Sequence, residues 1–296
     1  MQTVTFECEI ITPMFMAGAD GQTPELRPPS IKGALRFWWR AIHGHLSLEE
    51  LKRKEDNIFG GGGESASRSK VLINCLHPQL VSQSQPMYSR PGKNITAKGY
   101  NTGQLFIVTL KLTEDTVDGF GIKHLRALFE IVCLLGGLGK RSRRGRGAIK
   151  IKAMKEGDKE FTPVTADVTL ETILEKLKLF SPHFKVNNGD ILYDSMGRTE
   201  VYPTIQRIQI GGYDPNILAK IDLATHKLLD SHEERYEATM GHASRGRFAS
   251  PMYTSVIVDQ KGGLRPIITL LKTIPDAARR DKIQVSIQDE YKNKIL

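Results

Sequence analysis

The stretch GIKHLRALFEIVCLLGGLGKRSRRGRGAIKIKA, residues 121–153, decides the fold. Apolar residues recur at helical spacing from Ile122 to Val132, which predicts an amphipathic helix over 121–135. Paired glycines after Leu135 end that helix, and the alternation that follows predicts a strand over 148–153. The stretch is therefore a helix and a strand joined by a basic, glycine-rich loop.

The sequence before this stretch supplies the remaining elements of one domain. Residues 3–11 alternate between apolar and polar side chains, which is typical of a half-buried strand. A helix is predicted over 30–46, with Ser30 as its cap, and strands over 70–76 and 103–112. A loop rich in Ser, Gln, Pro, Gly and Lys, which could hold a hairpin, separates these two strands. The order strand, helix, strand, strand, helix, strand is that of a ferredoxin-like domain.

The second half of the chain is less regular. It predicts helices over 170–179 and 214–234, and strands over 201–210, 253–259 and 264–272. We expect an α+β protein of tandem ferredoxin-like (RRM-like) domains, with antiparallel sheets, helices on one face and a degenerate second domain. The polar segment 156–164 places the boundary, giving domains at 1–156 and 157–296.

Composition limits the classes of function. The chain has 296 residues and a formal net charge of +9, which favours an anionic partner. Its three cysteines lack metal-ligand spacing, and the odd number suits a reducing compartment. We expect a cytoplasmic protein without signal peptide or membrane span, and without metal or cofactor.

The loop 137–147 carries the strongest functional signal. No acidic residue occurs between Glu130 and Glu156, so no local charge neutralises the loop. Glycines permit positive φ and close approach to a ligand, and arginines match phosphate oxygens, although a solvated turn is the simpler alternative. The predicted binding cations are Lys140, Arg141, Arg143, Arg144 and Arg146, and the loop glycines are Gly137, Gly139, Gly145 and Gly147.

The helix predicted over 30–46 separates into two stripes at 100° per residue. One stripe should face the core and comprises Ile31, Ala34, Leu35, Trp38 and Ile42. The other is cationic, and it comprises Lys32, Arg36, Trp39 and His43, with Arg40 beside them. Trp39 could stack on a base or, alternatively, pack on a partner protein.

Two further glycine-rich segments carry weaker signals. The segment 241–248 resembles the basic loop less closely, and it adds Arg245 and Arg247 as candidate RNA-binding residues. The segment 59–70 could suggest a nucleotide site, but the GK[ST] ending of a phosphate-binding loop is absent.

Four stretches resemble the RAMP superfamily, the repeat-associated proteins of CRISPR effector complexes. Its glycine-rich loop has the pattern G-φ-G, five residues, G-φ-G, and residues 137–147 match it, with Arg146 where an apolar residue is usual. Within the superfamily, R27-P-P-S-I-K-G-A-L-R-F-W-W-R40 is similar to the first-numbered subunits of the Cmr (type III-B) effectors. R141-S-R-R-G145 and F248-A-S-P251 resemble the same family.

This resemblance implies a ribonucleoprotein subunit in antiviral defence. It implies tandem ferredoxin-like domains, sister Cmr subunits as partners, and a place near the 3′ end of the guide RNA, with target RNA as a further possible partner. Target cleavage in such complexes belongs to another subunit, so the resemblance implies no catalytic activity here.

One alternative is an enzyme. Some relatives in the superfamily cut precursor guide RNA without metal, with histidine as general acid or base, and His43 would then be the candidate. Otherwise we expect single-stranded RNA in a groove between the helix over 30–46 and the loop 137–147, held mainly by charge.

Overall fold

The computed structural model describes residues 1–62, 66–77, 80–90, 92–194, 202–242, 248–273 and 280–296. The helices are α1 (Pro28–Ile42), α2 (Leu48–Phe59), α3 (Ile122–Leu135), α4 (Leu170–Lys178), α5 (Ile217–Met240) and α6 (Val285–Ile295). The strands are β1 (Gln2–Ile10), β2 (Val71–Leu76), β3 (Ser82–Arg90), β4 (Lys93–Tyr100), β5 (Leu105–Leu112), β6 (Thr116–Val117), β7 (Phe120–Gly121), β8 (Ile149–Glu156), β9 (Thr162–Pro163), β10 (Phe184–Asn187), β11 (Asp190–Tyr193), β12 (Thr204–Ile210), β13 (Met252–Val258) and β14 (Leu264–Lys272). No helix among these residues is long and apolar enough to cross a membrane.

The first sheet is antiparallel, with strand order β2-β5-β1-β8-β9. Connected through α1 and α3, its first four strands have the ferredoxin-like arrangement that the sequence predicts. The alternation in β1 places Val4, Phe6, Cys8 and Ile10 on the buried face. A bulge between Glu7 and Cys8 shifts the pairing with β8.

The second sheet is also antiparallel and has the order β10-β11-β12-β14-β13. The run β12, α5, β13, β14, α6 follows the ferredoxin-like order up to its second helix. The place of the fourth strand, beside β12, is occupied by β11, which precedes β12 in the chain. This substitution is what makes the second unit degenerate, as predicted.

Helices α1 and α3 lie between the two sheets. Trp38 of α1 packs 5.1 Å from the ring of Tyr253 in β13, and one hydrophobic cluster includes Phe6 of the first sheet and Ile267 of the second. The other face of the second sheet packs against α5 and α6. Because β13 is covered on both faces, six consecutive residues from Met252 to Ile257 are buried.

Several boundaries differ from the predictions. Helix α1 begins at Pro28, with the prolines in its first turn and Arg27 as the cap, so Ser30 is not the cap. The sequence reading missed α2, although Ser47 and Glu50 form a capping box there. It also missed the β10–β11 hairpin and α6, whereas the loop after β2 does hold a hairpin, β3–β4. The domain boundary after residue 156 stays a prediction, and β9, beyond it, joins the first sheet.

Candidate nucleic-acid interface

The four loop glycines all have positive φ, at +146° for Gly137, +89° for Gly139, +75° for Gly145 and +67° for Gly147. A Cβ on Gly147 would lie 1.9 Å from the carbonyl oxygen of Leu138. The glycines therefore let the loop fold tightly on itself and on its neighbours. Positive φ is confirmed, but the close approach occurs within the protein.

The loop extends the edge of the second sheet. The amide of Gly145 donates to the carbonyl of Thr254 over 2.7 Å, and the amide of Thr254 donates to the carbonyl of Arg143 over 3.2 Å. These bonds form a parallel bridge between Arg144 and Thr254. The edge of β13 is thereby covered, which protects it from pairing with another chain.

Arg144 is buried and is committed to the protein itself. One guanidinium nitrogen donates to the Ser250 hydroxyl over 3.2 Å and to the Met252 carbonyl over 3.1 Å. The group also lies 5.4 Å from the ring centre of Tyr291. The sequence grouped Arg144 with the exposed cations, and its burial at 9 % exposure corrects that placement.

Arg146 is likewise buried, at 5 % exposure, and it pairs with Asp222 of α5 over 2.7 Å. The same carboxylate accepts the amide of Ser89 over 3.1 Å. A buried arginine at this position is stabilised by its carboxylate partner. This pair accounts for an arginine where the superfamily pattern usually has an apolar residue, and it removes Arg146 from the exposed surface.

Arg141 has an intermediate position. Its guanidinium lies 4.1 Å from the ring centre of Tyr88 and 3.7 Å from Asp222. Its Nε and Nη2 atoms are buried and have no hydrogen-bond partner among the described residues. Burial lowers the pKa of Arg141, with Asp222 opposing that effect. Because these two donor atoms are buried, Arg141 adds positive charge beneath the loop surface and does not present them to a ligand.

Arg143 and Lys140 face outward from the loop. The guanidinium of Arg143 lies 4.6 Å from the ring centre of Tyr253 and 5.3 Å from that of Phe37 in α1, and it donates to the Ser250 carbonyl. The exposed Lys140 donates to the Gly21 carbonyl over 2.9 Å. Within the described ranges, no carboxylate lies within 4.0 Å of either cation. They are the uncompensated charges of the loop.

The cations of α1 form a stripe along one side of the helix, but carboxylates of α2 compensate two of them. Glu55 accepts from Arg36 over 2.6 Å and from Arg40 over 2.5 Å, while Asp56 lies 3.8 Å from Arg36. Among the described residues, Lys32 donates to the Ser69 hydroxyl alone, over 2.8 Å. Because the sequence reading missed α2, it missed this neutralisation.

Trp39 and His43 are buried, at 2 % and 8 % exposure, so the predicted open stripe does not include them. The centres of their rings lie 4.2 Å apart with the planes tilted by 32°, and Nδ1 of His43 lies 2.6 Å from the Trp39 carbonyl oxygen. Burial lowers the pKa of His43 to about 4. Trp39 and His43 are buried because α2 covers a side of α1 that an isolated amphipathic helix would leave open.

The structure thus brings the loop and α1 together, as predicted, but through fewer cations. Phe37 is the contact point, because it packs against Trp38 and Tyr253 and lies beneath Arg143. Of the other predicted core residues of α1, Ile31, Leu35 and Ile42 are buried, whereas Ala34 is half-buried. Sequence reasoning missed Tyr88, Asp222 and Tyr253, although Ser250 lay in the motif F248-A-S-P251. Arg245 and Arg247 lie outside the described residues.

Much of the first sheet, helices α1 and α3 and the basic glycine loop fall within the part of the chain that matches a known family. The model of the RAMP superfamily matches residues 7–150, which run from β1 into β8 and include the whole loop. The first half of the chain therefore matches the RAMP superfamily.

Two curated relatives from Pyrococcus furiosus are similar in sequence. The CRISPR system Cmr subunit Cmr1-2 is 27% identical over 191 residues, covering 53% of this chain and 98% of the relative. The CRISPR system Cmr subunit Cmr1-1 is 33% identical over 162 residues, covering 49% of this chain and 46% of the relative.

Two solved structures have the same fold. Apo Cmr1 from Pyrococcus furiosus superposes with a TM-score of 0.63 and 21% identity, covering 100% of this chain and 97% of that one. A chain of the type III-B Cmr-beta complex bound to cognate target RNA gives 0.64 and 11% identity, covering 100% of both chains. Within the superfamily, the chain therefore resembles Cmr1.

Proposed function

We propose that this chain is an RNA-binding, non-catalytic subunit of a type III-B CRISPR effector complex, which acts in antiviral defence. Its partners are the guide RNA, toward the 3′ end, and/or the target RNA, together with the other Cmr subunits. The similarity to two Cmr1 subunits and to a chain of an RNA-bound Cmr complex supports the subunit role.

One observation carries the proposed RNA site, namely Arg143 held over Phe37. This contact brings the uncompensated cations of the loop to the open side of α1, where Gly33 is exposed and has no neighbour within 4 Å of an added Cβ. Lys32 lies on the other flank of that opening. A strand of phosphates laid across α1 would meet Lys32, Arg143 and Lys140.

The geometry of His43 argues against the endoribonuclease alternative. A general acid or base must come within hydrogen-bond reach of the reacting group, with a pKa near the working pH. His43 is buried, its Nδ1 lies against the Trp39 carbonyl, and its pKa is about 4. The residue that the enzyme hypothesis requires therefore stabilises the end of α1.

The experiment compares the wild-type chain with a Lys140→Glu, Arg143→Glu variant in binding to labelled single-stranded guide-repeat RNA. Arg144 is left unchanged, because its replacement would disturb the core. We expect near-complete loss of binding at moderate salt. If each replaced cation contacts one phosphate, the log–log dependence of affinity on salt should fall by about 1.4.

The matched control is Lys123→Glu with Lys178→Glu, an equal charge change at exposed positions on α3 and α4. This control should keep most of the affinity. If it lost as much affinity as the loop variant, binding would depend on net charge alone, and the proposed site would be refuted.

A further inference from the structure

A cleft of about 760 Å³ lies on the side of α3 that faces α4. Residues from α3, α4, the start of β8, the segment after β9 and the end of β13 line it. Its lining includes no residue of α1 or of the loop 137–147. The cleft is therefore separate from the proposed RNA site, and its volume lies in the range of sites that bind ligands.

The floor of the cleft is aliphatic. Leu134 of α3, Ile149 and Ile151 of β8, and Ile257 of β13 contribute to it. Beside them a short part of the edge of β8 is open, because β9 and Val164 after it pair with β8 only from Lys152 to Met154. Within the described part of the chain, no strand covers β8 from Ile149 to Ile151. An open edge next to aliphatic side chains fits an extended peptide.

The rim of the cleft is acidic in a chain whose net charge is +9. Four carboxylates line it against two lysines, and Lys176 is already paired with Glu130 over 2.5 Å. Asp259 accepts the amides of Lys261 and Gly263. Asp167 and Glu175 have no cation within 4.0 Å among the described residues. The two carboxylates that remain uncompensated repel RNA and favour a cationic partner.

We infer that this cleft binds an extended segment of a partner protein, in which Lys or Arg residues flank a short aliphatic core. The aliphatic side chains cover the floor, the peptide backbone pairs with the edge of β8, and the cations lie near Asp167 and Glu175. This inference goes beyond the RNA-binding function and does not depend on it. It assigns this side of α3 to protein contacts.

The probes are two short fluorescent peptides with the same isoleucine–valine core, flanked by lysines in one and by glutamates in the other. The full chain should bind the lysine peptide saturably and the glutamate peptide at least about tenfold more weakly, since rim charges select the partner. p-Benzoylphenylalanine placed at Gln260, on the rim, should cross-link the lysine peptide. The cross-linked sites should map to residues of the cleft.

Asp167→Lys with Glu175→Lys should lower the affinity for the lysine peptide by about tenfold or more, without lowering the affinity for RNA. The control Glu160→Lys is exposed and does not line the cleft, and it should change peptide affinity less than about twofold. If the double lysine variant fails to fold, Asp167→Asn with Glu175→Gln tests the same charges. Equal binding of the two peptides, cross-links outside the cleft, or an equal loss in Glu160→Lys would overturn the inference, whatever the result with RNA.

Discussion

Arg143 and Arg144 are neighbours in the chain, yet they belong to different parts of the molecule. Arg144 points into the second unit and is hydrogen-bonded there, whereas Arg143 lies across Tyr253 and Phe37 without a carboxylate partner among the described residues. The arginine-dense motif therefore has two roles that its sequence does not separate. Arg144 and Arg146 hold the loop in place, whereas Lys140 and Arg143 are available to a ligand.

The same division runs along α1. Trp39 and His43 are buried, while Lys32 and the flank around Gly33 remain open. In the loop and in α1, the buried side chains fix the exposed side chains in position. The four experiments below separate the two groups, beginning with the largest expected effect.

Asp222→Ala should give the largest loss of stability. It would leave Arg146 buried without its carboxylate, and breaking a buried pair in this way costs about 3–5 kcal/mol. Urea unfolding of wild type and variant measures the difference. Asp230→Ala, an exposed position on the same helix, should change the unfolding free energy by less than about 0.5 kcal/mol. Similar values for both variants would mean that the buried pair contributes little.

The pH dependence of stability tests the buried half of α1. Folding lowers the pKa of His43 from 6.5 to about 4, so the folded chain resists a proton that the unfolded chain accepts. The stabilisation is complete above pH 6.5 and is lost as the pH falls toward 4, by about 3 kcal/mol. In His43→Phe, the free energy of unfolding should change less with pH across this interval. If the free energy of unfolding depended on pH equally in both proteins, folding would not lower the pKa of His43.

Replacing Arg143 and Arg144 separately by alanine tests the comparison directly. Arg144→Ala should cost about 1–3 kcal/mol, because it leaves buried acceptors unsatisfied. Arg143→Ala should change stability much less and should lower the salt dependence of RNA binding by about 0.7, one phosphate contact. Thermal unfolding and titrations at several salt concentrations give both quantities. The division fails if the two variants change both quantities alike.

The smallest effect is expected at Gly33. It lies inside α1, and an added Cβ would meet nothing within 4 Å, so Gly33→Ala should stabilise the chain by about 0.5–1 kcal/mol. Gly145→Ala is the contrasting variant, since φ is +75° there and the new Cβ would lie 2.9 Å from Ile221 Cδ1. It should destabilise the chain. Chemical unfolding of both variants is the test, and the changes in the free energy of unfolding should have opposite signs.

Much of the fold was predictable because its signals are local. The alternation in β1, the apolar stripe of α3 and the glycines after it define the ferredoxin-like order without knowledge of the rest of the chain. The β10–β11 hairpin and α6 were missed. Their short or polar segments become ordered by packing on the second sheet.

The site was predictable in position but not in the state of each cation. Composition locates the loop, and the spacing along α1 locates the helix that it contacts. Whether an arginine is free depends on residues distant in sequence. Asp222 lies 76 positions from Arg146, and Glu55 lies on α2, which was missed despite the local capping box at Ser47 and Glu50. No local pattern carries that information.

The bridge between Arg144 and Thr254 has a consequence for binding energetics. A loop anchored to β13 by this bridge loses less freedom when a ligand arrives than an unanchored loop, so less ordering entropy opposes association. Its cations should meet RNA in nearly the geometry they already hold. We therefore expect this basic loop to act as a preformed template rather than as a flexible arm that closes around its ligand.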